Sequence, residues 1–182
     1  SPVTIGGTIY NGSGGPLLTN TIYLVTSSIT VPVGQTLTIP SGAGLKFSAG
    51  AALTCDGNLN VSGTAAAPVR FTSDTDDSVG GDTNNNGNGT QPAVGDWFTI
   101  TVNDAAIDSA CIFRYCKFYY GGVPWWGNEG SLRCYNASPT IQNCTFGYHN
   151  YAVGIYGNSA PALSNNSFRN IARTPILMDL MA

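Results

Sequence analysis

The sequence predicts an all-β chain folded as a right-handed parallel β-helix, a solenoid with two inserted loops. Three observations predict it: the strand signals are short and evenly punctuated, helical periodicity is missing, and one segment returns after 22 residues. Gly, Asn, Thr and β-branched residues recur every few positions, and no window places apolar residues at helical spacing. Short alternating runs stand instead at Ile29 to Val31, Leu37 to Ile39, Leu45 to Phe47, Leu59 to Val61 and Val69 to Phe71, separated by Gly, Pro, Ser or Asn. Runs this short suit the sides of a coil better than the strands of a sandwich.

The repeat is the stronger signal. Ser138 to Phe146 (SPTIQNCTF) returns as Ala160 to Phe168 (APALSNNSF), and Phe113 to Phe118 (FRYCKF) fits the same template one coil earlier. Leu132 to Cys134 likewise aligns with Val153 to Ile155. A period in the low twenties is a solenoid signature, because each unit buries its apolar side only by stacking on the next. The alignment predicts interior ladders Phe113, Ile141, Leu163; Phe118, Phe146, Phe168; and Cys116, Cys144, Asn166. Asn143 and Asn165 fall at a turn, where they either pass amide hydrogen bonds from coil to coil or supply left-handed turn geometry. The single domain therefore divides into a cap or edge segment at 1–28 and coils at 29–176. Insertions interrupt it at 72–96 and 119–130.

Composition narrows the function. The chain has 182 residues, 42% hydrophobic, enough for one domain with its own core. Only 9% are charged, so solubility rests on neutral hydrogen-bonding side chains. The net charge of −3 offers no basic stripe for a phosphate backbone, which argues against a nucleic-acid partner. No apolar run is long enough for a membrane span. Cysteines at 55, 111, 116, 134 and 144 lack zinc-site spacing, and an odd number leaves at least one thiol unpaired. Sequons begin at Asn11, Asn60, Asn88 and Asn136, with two more at Asn143 and Asn165; as glycan acceptors they would fit a secreted, extracellular or cell-surface protein.

Two segments carry candidate chemistry. In the first, Asp82, Asn84, Asn86 and Gly87 match the start of a calcium loop, where alternate oxygen side chains face one ion and Gly permits the sharp turn. Ala93 stands where the closing bidentate Glu would fall, so calcium would have to recruit Asp74, Asp76, Asp77, Asp96 or backbone carbonyls. The alternative is an Asn/Gly loop whose acids only face water. In the second, Tyr119, Tyr120, Trp125 and Trp126 could stack on sugar rings, contact a protein partner, or fold down on the solenoid wall. His149, the lone histidine, lies between Tyr148 and Asn150 in an expected turn, with a surface or stacking role. Arg114, Lys117 and Arg133 could project outward near one another.

The stretch Ile29 to Phe47 (ITVPVGQTLTIPSGAGLKF), with GNLNVSGT at Gly57 to Thr64, PVRFTS at Pro68 to Ser73 and the Ile-x-Asn-Cys-x-Phe repeat, resembles the secreted bacterial right-handed β-helix proteins of pectate-lyase-like fold. The resemblance covers most of residues 25 to 170 and implies a fold, since that fold hosts lyases, hydrolases, adhesins and passive modules. Of the motifs of its pectinolytic hydrolases only an Asp-Asp is present, at Asp76-Asp77, without partners, and no catalytic residue is assigned. The resulting expectation is a noncatalytic extracellular structural or adhesion module whose partners are copies of itself, other surface proteins or carbohydrate. The rival is a polysaccharide lyase or glycoside hydrolase. Ice binding would need regular outward Thr ladders, and Thr36, Thr38, Thr99 and Thr101 are too scattered in sequence to make one.

Overall fold

A computed structural model of the chain describes residues 2–87, 89–122 and 130–179. In chain order its strands are β1 (Val3–Thr8), β2 (Ile22–Val31), β3 (Thr36–Pro40), β4 (Gly44–Phe47), β5 (Leu53–Cys55), β6 (Asn58–Ser62), β7 (Val69–Ser73) and β8 (Ile100–Val102). After a 3-10 turn at Asp108–Ala110 come β9 (Ile112–Arg114), β10 (Cys116–Tyr119), β11 (Leu132–Tyr135), β12 (Thr140–Gln142), β13 (Thr145–Tyr156), β14 (Ala162–Ser164) and β15 (Ser167–Asp179). All these strands pair in parallel, which makes the protein all-β and solenoid-like.

The strands line three walls. The first runs through the early parts of β1 and β2, then β4, β7, β10 and the early parts of β13 and β15. The second takes the late parts of β1 and β2, then β5, β8, β11 and the late parts of β13 and β15. The third stacks β3, β6, β9, β12 and β14. The repeat is the register of this stack: Ile141 pairs with Leu163, Phe118 with Phe146, Phe146 with Phe168, and Leu132 with Val153. The segment 1–28 supplies the edge strand β1 and most of β2.

Parallel in-register strands hold equivalent side chains one strand spacing apart, so identical rings stack face to face. Phe71, Phe118, Phe146 and Phe168 do this with centroids 4.9, 4.6 and 5.3 Å apart. The first three are fully buried, and Phe168, on the last rung, is only partly covered. Trp97 extends the same packing beside Phe47 at 4.7 Å.

Corners need a left-handed residue, and the repeat places one at equivalent positions. Tyr115, Asn143 and Asn165 have φ of 49°, 56° and 54°; Tyr120, Tyr148 and Asn170 have 63°, 61° and 52°. Of the two roles open to Asn143 and Asn165, this backbone role is the one observed. Bonding between coils passes through the neighbouring Asn166, which accepts from Cys144 N at 2.9 Å and donates to Ile141 O at 2.9 Å. The expected turn at His149 is corrected. This residue lies inside β13, fully buried, because the left-handed Tyr148 lets the strand bend and point His149 inward.

Candidate functional site

The insertion after β7 folds back over the outer face of the first wall. Val79 and Gly80 pack beside Ile22 and Gly44, and Lys46, whose side chain leaves β4 on that face, is wholly covered. Its ammonium donates to Gly81 O at 2.9 Å, so the loop is pinned to the wall by a buried cation. Burial pushes the Lys46 pKa down, and the charges of Asp77, Asp76, Asp74 and Asp82 oppose that shift.

The seven expected calcium ligands all sit in this segment, but not in one shell. Asp76 is buried, with Oδ2 accepting from Thr72 Oγ1 at 2.6 Å and Oδ1 from the Ser78 hydroxyl at 2.6 Å. Asp96 accepts from Thr75 Oγ1 and Ala93 N. Asp82 turns back on its own loop, accepting from Asn86 N at 3.2 Å and Gly87 N at 2.8 Å, and the Gly87 bond leads in holding its carboxyl below the ordinary carboxylate range. Asn86 donates to Thr90 Oγ1 at 2.7 Å. Asp74 lends its backbone carbonyl to Thr83. Two buried oxygens, Asp77 Oδ1 and Asn84 Oδ1, have no hydrogen-bond donor. The donor set is hard oxygen, which suits calcium. Among the described residues, however, no three or more His, Cys, Asp or Glu side chains gather as ligands.

Beside the insertion, Thr75, Asp76, Asp77, Ser78, Gln91 and Tyr120 line a cleft of about 310 Å³. Tyr120 stacks on Tyr148 at 5.0 Å and Tyr119 sets its edge to Tyr148 at 6.1 Å, giving a three-ring surface. Burial raises the Tyr119 pKa and moves that of Tyr120 up to about 12. Tyr148 was not among the expected contact residues. Its signal was the offset from Tyr120 to Tyr148, the same 28 residues that separate Phe118 from Phe146. Trp125 and Trp126 lie outside the described residues, as does the sequon Asn88. A wider groove of about 640 Å³ opens where Asp82, Thr83 and Asn85 face Thr4, Asn20 and Thr21.

The other candidates resolve by wall. Arg114 projects from the third wall, Lys117 from the first and Arg133 from the second, so the structure does not bring the expected basic group together. Arg133 lies over the rings of Tyr135 and Tyr156, at 5.4 and 4.9 Å from their centroids. His149 places Nδ1 2.9 Å from Gly121 O and Nε2 2.9 Å from Phe118 O, and burial lowers its pKa to about 4. It works as a core clamp at the corner, edge-on to the Phe146 ring at 6.5 Å, so of the surface and stacking roles the sequence left open the surface one is corrected.

Among the sequons, Asn11 pairs both ways with Thr38, at 3.0 and 2.9 Å, while Asn60 accepts from Ser62 and Asn136 from Asn158 N. The threonines hold a surprise of register: Thr8, Thr30, Thr54 and Thr101 fall on one outward column of the second wall, which sequence spacing alone did not reveal. The column is one residue wide and gives way to Arg133 on the next rung. Comparison with protein-family models, with curated proteins and with solved structures finds no match for this chain.

Proposed function

We propose that this chain is a noncatalytic extracellular module, a right-handed β-helix that builds or decorates a cell surface, fibre or matrix by self-association. The hand is supported by the strong preference of parallel crossover connections for the right-handed sense. The observation that carries the functional reading is the free edge of β15. This 13-residue strand pairs with β13 on one side, and among the described residues no strand pairs its other edge. Inward-facing Phe168, Ile171 and Ile176 are only partly buried on that rung, and Met178 is 55% exposed. An unpaired edge backed by apolar side chains is a template for another rung. Through Asp179 the chain continues this edge strand in register with β13.

Light scattering across a concentration series tests the reading. Mass that grows with concentration supports it, and a monomer at high concentration overturns it. Calcium belongs to the same proposal as a stiffener of the 74–96 loop, supported by the Asp82 turn and by the two buried oxygens without donors. Calorimetric titration should give binding in the parent and weaker binding in Asp82→Ala; no heat in the parent would remove calcium from the account. Turnover of a uronate polymer or another glycan with calcium present would replace the noncatalytic reading with its rival.

A further inference from the structure

Two pairs of cysteines meet in the interior, and they meet differently. Cys55 ends β5 on the second wall, whereas Cys111 enters β9 on the third, so the two side chains reach the core from different walls. Their sulfurs converge on one acceptor: Cys55 Sγ lies 3.2 Å and Cys111 Sγ 3.8 Å from Gly57 O. Cys116 and Cys144 instead occupy one inward position on neighbouring rungs, one residue before the paired Lys117 and Thr145. Cys134 shares the column of Cys55 but has Val102 between them, two rungs away.

A cystine holds its Cβ atoms roughly 3.5–4.5 Å apart with a dihedral near a right angle. Stacked positions on parallel strands keep their Cβ directions parallel and about 4.8 Å apart, which is too wide and wrongly aimed. Side chains converging from two walls escape that restriction. We propose that Cys55 and Cys111 form an intrachain disulfide when the chain folds with a small-molecule disulfide such as oxidised glutathione, and that Cys116, Cys134 and Cys144 stay as thiols. One cysteine thiolate attacks the glutathione disulfide and releases a glutathione thiolate. The other attacks the resulting mixed disulfide and releases the second. Two protons leave the cysteines, and the two electrons pass to glutathione. Because both sulfurs are fully buried in the finished fold, the exchange takes place while the rungs are still assembling. The bond then ties the rung before the 74–96 insertion to the rung that carries it. None of this depends on the functional reading above.

The test is to refold the full chain with reduced or with oxidised glutathione, alkylate in denaturant and map the peptides. Trypsin sites at Lys46, Arg70, Arg114 and Lys117 place Cys55, Cys111 and Cys116 on separate peptides. The expected product of oxidative folding joins Cys55 to Cys111, lighter by two hydrogens, with the other three cysteines alkylated. It should melt roughly 5–15 °C above the reduced protein, and Cys116→Ser/Cys144→Ser should retain the link. Five alkylated cysteines after oxidative folding, or a bond from Cys116 to Cys144 or from either partner to Cys134, would overturn the proposal.

Discussion

Phe146 and Phe168 are the same residue type at the same position of the repeat, yet they differ in what lies beyond them. Phe146 has a stacked ring on both sides, whereas among the described residues Phe168 has one only on its inner side. Phe146→Ala should therefore cost about 3–5 kcal/mol, and Phe168→Ala clearly less, as read from urea midpoints at constant slope. Equal losses would mean that the last rung is covered in solution. His149 makes a second prediction at this scale. Its folded pKa, about 4, lies below the ordinary 6.5, so the unfolded chain takes up a proton first as pH falls. The stability tied to the neutral ring is complete above pH 6.5 and is lost progressively from there down to pH 4, amounting to about 3 kcal/mol. Urea melts at pH 7.5 and 4.5 should differ accordingly, and the difference should shrink in His149→Gln.

The insertion over the first wall is held by apolar packing at Val79 and by polar contacts, the Lys46 bond among them, rather than by a strand pairing. Lys46→Ala should leave far-UV circular dichroism unchanged while making the segment around Gly81 to Gly87 sensitive to protease; undiminished resistance would show that Val79 and the Asp76 bonds suffice. How much of this was legible follows from where each signal lies. The ladders were readable because stacking forces the same residue types to return at one offset, as Ile141 and Leu163 do. The Thr8 to Thr101 column was not, because an outward position places little demand on residue type and the insertion hides the register between Thr54 and Thr101. Lys46 looked like an outward strand residue, and nothing local says that a loop more than thirty residues later will cover it. Burial of His149 depended on a left-handed Tyr148, a geometry more often supplied by Gly or Asn. In the candidate site, residue types were legible but their convergence was not, since Asp76, Asp82 and Asp96 each answer to separate local donors.

Across the whole molecule, each rung touches mainly the rung before and the rung after, so stability accumulates from neighbour to neighbour. Association through β15 should then depend on inward residues of that rung: Ile176→Lys should leave the monomer folded and abolish concentration-dependent mass in light scattering. The same one-dimensional order governs how the protein bears load. Pulled along its axis, it should peel from the terminal rung and not come apart at once, releasing about 7 nm of contour for each 22-residue turn. The buried tether from Lys46 to Gly81 spans rungs in the middle of this sequence. Peeling should pause there, giving a force peak that a plain stack of coils would lack.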